Sequence, residues 1–247
     1  FSDDGQLWGN PLFDWDFMKK DGYSWWIRRM KHVSSIYDVV RIDHFRGFAS
    51  YFAIPYGDNT AKNGRWRKGP GTEFFKAMEN VLGKKKILAE DLGYLDDEVR
   101  GLLKSTGFPG MKVLQYGFTS WDSYYVNHRH IRNCVVYTGT HDNDTIAGWI
   151  ASADPEDVKK AVEYMRLNKE EGYHWGVIKT AWGSVADIAV IQMQDLLGLG
   201  SEGRINTPST LGNNWVWRAL PEYFSDELAL KVRRYMELYG RCETAAK

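Results

Sequence analysis

Three short apolar runs in this chain of 247 residues end the same way, in a carboxylate, with helical patterns between them. They are Val39-Val40-Arg41-Ile42-Asp43, Ile87-Leu88-Ala89-Glu90-Asp91, and Cys134 to Tyr137 running on through Thr138-Gly139-Thr140-His141 to Asp142. Strands alternating with helices build βαβ units on a parallel sheet. Ligands of such sheets bind beyond the carboxyl ends of the strands, in open sheets and barrels alike. Charge repeated at that end is poor core design and good site design. The expected class is α/β with about five parallel strands, at 38–43, 86–91, 111–118, 133–140 and 186–196. Five strands are too few to close an eight-stranded barrel, so a barrel built from them lacks its first strands.

Between these runs, apolar spacing predicts helices at 24–37, 72–83 with Thr72 as cap, and 96–107 started by Asp96 or Asp97. Further helices are expected at 144–151, 155–170 and 174–185, with a closing one near 226–239. Residues 1–16, 55–71 and 198–217 are rich in Gly, Pro, Asn or Arg and read as loops. A long excursion such as 55–71 in a compact domain is usually functional or disordered.

Charge is balanced, 32 basic against 32 acidic residues, which argues against nucleic acid or an anionic membrane as partner. No apolar run is long enough to span a bilayer. Cys134 and Cys242 form no framework or metal spacing, so a soluble protein of a reducing, cytoplasmic compartment is expected. Eleven tryptophans suit core packing and also stacking on sugar rings. Trp8, Trp66, Trp121 and Trp215 lie among loop-forming residues and are candidates for a binding surface. His128 and His130, in an Asn/Arg-rich stretch, read as a solvated connection.

Strand parity distinguishes neighbouring carboxylates. Side chains alternate between faces, so Arg41 shares a face with Asp43. With Leu88 and Glu90 facing a cleft, Asp91 turns away toward a backbone or helix. Arg41 favours an ionised Asp43, while an apolar approach favours a protonated Glu90. One charged and one protonated carboxyl is the requirement of retaining glycoside cleavage. Asp43 then attacks the anomeric carbon, and Glu90 is acid and afterwards base.

The segments GQLWGNPL, VVRIDHFRGF, LAEDLG, PGMKVLQ, VVYTGTHDND and LGSEGRIN, in this order, resemble the second half of an amylomaltase, a 4-α-glucanotransferase. That family is related to the α-amylases and has a (β/α)₈ barrel. The resemblance implies a single catalytic domain over 1–247 forming the C-terminal part of the barrel. It also implies an N-terminal half of the same protein as companion. Asp43 matches the nucleophile, Glu90 the acid/base, and Asp142 a third carboxylate that holds sugar hydroxyls and stabilises the transition state. Arg41 and His141 match the residues that accompany them. Asn213, Asn214 and Trp215 resemble a late-loop segment near the substrate. The implied reaction transfers α-1,4-glucan segments from a donor to glucose or a maltooligosaccharide, with no metal or cofactor.

Two rival classes differ in their requirements. A metal-dependent hydrolase would use Asp43, His44, Glu90, His141 and Asp142 as ligands, but the chain has no His-x-His or His-Glu-x-x-His spacing. A non-catalytic carbohydrate-binding fragment would need the aromatics alone, not two intact carboxylates.

Overall fold

The computed structural model describes residues 3–93, 95–120 and 123–242. Trp121 therefore lies outside the described residues. The chain divides into two compact units, Phe1–Met111 and Lys112–Lys247.

The first unit opens with helices α1 (Trp15–Lys20) and α2 (Ser24–Ile36), where a loop was expected before residue 17. Asp14 caps α1 by accepting the Phe17 N–H at 2.9 Å. Strands β1 (Val40–Ile42) and β4 (Ile87–Ala89) pair in parallel, with Ile42 opposite Ala89. Between them lie β2 (Ser50–Ala53), β3 (Arg65–Lys68) and helix α3 (Gly71–Leu82). Strands β2 and β3 form an antiparallel hairpin, so part of the 55–71 excursion is regular structure. The hairpin closes where Gly69 N–H donates to Ala49 O at 2.8 Å. A side chain at Gly69 would put its Cβ 2.4 Å from the Phe48 carbonyl oxygen.

Helix α3 starts after Pro70, and the Thr72 hydroxyl meets Ser105 Oγ at 3.0 Å instead of capping the helix. Helix α4 (Asp97–Thr106) is capped by Asp96, whose carboxylate accepts the Val99 N–H, and stops at left-handed Gly107. Such a cap stabilises by about 1 kcal/mol. The core of this unit is aromatic: Phe45, Phe48, Phe74 and Phe75 are buried among Trp15, Trp26 and Phe108. The Phe48 and Phe74 rings stack at 5.1 Å.

The chain enters the second unit within β5 (Gly110–Val113). This strand belongs to a sheet of order β5–β6–β7, with β6 (Cys134–Tyr137) parallel to β7 (Ile188–Val190). Helices α5 (Ile146–Ser152), α6 (Pro155–Met165) and α7 (Tyr173–Trp182) connect β6 to β7. The expected strand over 186–196 ends at Val190 and gives way to the short helix α8 (Met193–Leu197). Helix α9 (Asp226–Leu238) closes the described chain, packing Leu228, Val232, Tyr235 and Met236 on Trp175, Ile178 and Trp182. His130 departs from its reading as solvated: it is buried, its Nε2 lies 2.9 Å from Tyr125 O, and burial lowers its pKa.

Parallel strands with connecting helices, in sheets that do not close among the described residues, are the arrangement of part of a (β/α)₈ barrel. No helix among the described residues is long and apolar enough to cross a membrane.

Candidate active site

In the first unit the β1–β4 ladder continues past both strands. Glu90 N–H donates to Ile42 O at 2.9 Å, and Phe45 N–H donates to Glu90 O at 3.0 Å. Asp43 and His44 are thereby held beside Glu90. The turn is made at His44, which adopts the left-handed conformation with φ 46°. Immediately afterwards Phe45 and Phe48 enter the aromatic core and anchor the segment.

The Glu90 carboxyl receives two backbone donors, His44 N–H on Oε2 at 2.7 Å and Leu92 N–H on Oε1 at 2.8 Å. Burial nevertheless raises its pKa above the usual glutamic range. The two N–H groups and Arg41 oppose that shift, and the charge of Asp43 adds to it. Asp43 is largely exposed and pairs through Oδ1 with Arg41 Nη1 at 2.9 Å. Arg41 is steadied by its Nε, which lies 3.3 Å from the Met111 sulfur.

Asp91, one residue along, is buried and accepts the Met111 N–H at 2.6 Å. The glycine of PGMK fits this contact, because a Cβ at Gly110 would lie 2.5 Å from Asp91 Oδ2. The adjacent carboxylates of AED thus meet different surroundings, as alternation requires.

Two aromatics from the sequence reading lie on this unit's surface. Trp8 is exposed, with its indole N–H on Gln6 Oε1 at 3.3 Å. Trp66, on β3, is also exposed and rests on the guanidinium of Arg46, 4.2 Å from the ring centroid. Arg46 is buried and ion-paired with Asp96, the cap of α4.

In the second unit, β6 ends in a turn braced by Asn143, whose Oδ1 accepts the Thr140 N–H at 2.9 Å and its hydroxyl at 2.8 Å. The turn presents His141 and Asp142. His141 Nε2 lies 3.3 Å from Asp142 Oδ2, and Asn206 donates to Asp142 Oδ1 at 2.6 Å. Arg204 donates to the Asp142 main-chain oxygen at 2.8 Å.

Arg204 and Asn206 were not singled out in the sequence. They sit in LGSEGRIN, which resemblance marks as a segment without saying which side chains matter. Trp215 lies against His141, ring centroids 5.1 Å apart. Its backbone is left-handed at φ 63°, a conformation that costs a bulky residue on the order of 1–3 kcal/mol. Asn213 lines an open cleft of about 590 Å³ with Asp144, Glu202, Arg204 and Trp217. The Asn214 amide is bonded within its own loop to Thr207 and Thr210.

Among the described residues no group of three His, Cys, Asp or Glu side chains could hold a metal ion. Asp195, unremarked in the sequence, is buried beneath this unit's turn. It accepts the Ile146 N–H at 2.8 Å and the Thr138 hydroxyl at 2.5 Å. Burial raises its pKa despite both donors.

The profile of the family described as 4-alpha-glucanotransferase matches residues 1–222. Over 98% of its length the chain is 51% identical to the 4-alpha-glucanotransferase of Clostridium butyricum, of which it covers 50%. It is 47% identical to a chloroplastic/amyloplastic 4-alpha-glucanotransferase of Arabidopsis thaliana, over 98% of this chain and 42% of that one. The chain thus spans about half the length of these relatives. Among solved structures, an amylomaltase of Streptococcus agalactiae in complex with acarbose superposes with a TM-score of 0.94 at 39% identity. That match covers 98% of this chain and 50% of the other. An amylomaltase of Corynebacterium glutamicum, 17% identical with a TM-score of 0.75 over 94% of this chain and 40% of its own, shares the fold. The chain belongs to the 4-alpha-glucanotransferase family.

Proposed function

We propose that this chain carries the catalytic carboxylates of an enzyme that moves α-1,4-glucan segments between maltooligosaccharides by retaining double displacement. The observation that carries the reading is the unlike pair at the β1 and β4 ends. Asp43 is exposed and paired with Arg41, while Glu90 is half-buried with a raised pKa and held by the His44 and Leu92 amides.

In the first step Asp43 Oδ attacks C1 of the donor and the glycosidic C1–O bond breaks. The leaving oxygen takes the Glu90 proton. A glucose or maltooligosaccharide acceptor then loses its 4-hydroxyl proton to the Glu90 carboxylate and attacks C1, releasing Asp43. No metal or nucleotide takes part.

Asp142, fixed by His141, Asn206 and Arg204, is assigned to holding sugar hydroxyls as charge develops at the anomeric centre. Trp8, Trp66 and Trp215 offer exposed faces for sugar stacking, and Asn213 a polar side chain. An aromatic-lined acceptor site favours a sugar over water as the second nucleophile.

The test is incubation of the full-length protein with maltotriose alone, with and without chelator. Glucose plus a ladder of longer α-1,4 oligomers is expected in both. Products no longer than the substrate would make it a hydrolase, and loss of activity with chelator would bring back the metal-dependent class.

A further inference from the structure

We propose that Asn214, grouped by sequence with the substrate-binding residues, is instead a positioning residue whose amide staples the 205–215 loop so that Trp215 stays against His141. The inference rests on the transferase reading for its kinetic consequences. Its structural content stands apart from that reading.

An asparagine amide has two donor hydrogens and one acceptor oxygen. Asn214 Oδ1 accepts the Thr207 N–H at 3.0 Å. Asn214 Nδ2 donates to Thr210 O at 3.2 Å and lies 3.1 Å from Thr210 Oγ1, with Thr207 O at 3.5 Å. The side chain is therefore committed to its own loop, and little remains for a sugar. Both Asn213 and Asn214 line the cleft, Asn213 exposed and Asn214 half-buried, so it is the bonding of the Asn214 amide that sets it apart.

The loop has reason to need a staple. Ser209, Gly212, Asn213 and Trp215 all have positive φ, at 62°, 78°, 55° and 63°. Asn and Gly adopt this region readily, and a tryptophan does not. Such a conformation persists only where the surroundings over-determine it. Trp215 N–H donates to Ile205 O at 2.7 Å, and Arg218 Nη1 donates to Trp215 O at 3.0 Å. The Asn214 amide ties the residue immediately before Trp215 back to Thr207 and Thr210. What this conformation achieves is the placement of the Trp215 indole 5.1 Å from the His141 ring, whose Nε2 lies 3.3 Å from Asp142. Without the staple the loop relaxes to ordinary φ values and the indole leaves His141.

The experiment is a double-mutant cycle in the full-length protein. Disproportionation of maltotriose is measured for wild type, Asn214→Ala, Trp215→Ala and the double variant. Hydrogen exchange is read over residues 205–217. Asn214→Ala is expected to lower kcat/KM by about 10- to 100-fold, the scale of a misplaced catalytic neighbourhood. In the Trp215→Ala background the same change should add no more than about twofold, because residues acting through one another are not additive.

Asn214→Asp keeps the acceptor for Thr207 but sets a carboxylate oxygen against the Thr207 and Thr210 carbonyls, so it should lose at least as much as Asn214→Ala. Thr210→Val, a change at an exposed loop position, should weaken transfer in the same direction without Asn214 being touched. Exchange at 205–217 should rise in Asn214→Ala. Losses that multiply in the double variant would mean that Asn214 acts independently of Trp215 and would overturn the proposal. If wild type shows no transfer, the transferase reading fails. Exchange then decides the staple alone, and an unchanged pattern in Asn214→Ala overturns it.

Discussion

The backbone N–H of His44 donates to the Glu90 carboxyl at 2.7 Å across 46 residues of chain. The residue that follows Asp43 therefore helps to hold the partner of Asp43 in the proposed chemistry. One left-handed turn at His44 serves both carboxylates. It lets Asp43 remain exposed beside Arg41 while the amide one position later reaches Glu90.

Substitution should separate three carboxylates close in sequence or space. Asp43→Ala should abolish transfer with every donor, because no glycosyl-enzyme forms. Glu90→Ala should lose about 10²–10⁴-fold on maltodextrins. It should still form the intermediate from a glycosyl fluoride, whose leaving group needs little protonation, and external azide should then restore part of the turnover. Asp91→Ala should act on stability instead, since it orphans the buried Met111 N–H at a cost of about 1–3 kcal/mol. Near-normal activity in Glu90→Ala with a dead but folded Asp91→Ala would reverse the parity assignment.

The pH profile follows from Glu90. Donor cleavage needs Glu90 protonated, and its pKa is raised chiefly by burial. The alkaline fall of kcat/KM should thus lie above the ordinary glutamic range. In a glycosyl-fluoride assay that requires no acid, this alkaline limb should vanish from the first step. An alkaline limb unchanged with the fluoride would assign it to another group.

Asp195 offers a stability test away from chemistry. Its folded pKa is raised by burial, so its contribution is fully present below the unfolded carboxyl pKa and declines as pH rises through the folded value. Asp195→Asn can still bond Ile146 and Thr138 without carrying charge. Denaturant melts across pH should show it at least as stable as wild type at neutral pH, with a shallower decline. Asp195→Ala leaves both partners buried and unmet, costing on the order of 2–4 kcal/mol. A steeper decline in Asp195→Asn than in wild type would refute the sign.

Residues 1–247 expressed alone should self-associate and transfer poorly. Strand β7 is at the edge of its sheet, with Ile188 and Val190 exposed. Open edges present unpaired backbone groups that recruit other chains. Adding the remaining half of the relatives' length, fused or as a second polypeptide, should restore solubility and activity. A monodisperse, active 247-residue monomer in sedimentation and assay would contradict this.

The parts legible in sequence were those set by local alternation. Ile87, Ala89 and Asp91 fall on the buried side and Glu90 does not, because a strand turns each side chain over in sequence. A cap at Asp96 or Asp97 was legible because a cap acts within three residues, and Asp96 is the one that makes it. The β2–β3 hairpin was not, since Arg65 to Lys68 are all exposed and show no apolar alternation. Thr72 looked like a cap, but its hydroxyl found Ser105 in a neighbouring helix. Arg204 and Asn206 reach Asp142 from 62 and 64 residues away, a pairing that no local pattern announces.

The hairpin also bears on how this scaffold can be re-engineered. Its root is closed between Ala49 and Gly69, where no side chain fits, and its Trp66 is seated on Arg46, a residue outside the hairpin that is tied to the start of α4. A loop swap here must also respect the tip between β2 and β3, where Ala61 is buried and donates its N–H to Asp4 O at 2.8 Å. It must keep the glycine at the root and an aromatic ring over the guanidinium. A graft that replaces both points would bring in a hairpin without the anchors that hold this one.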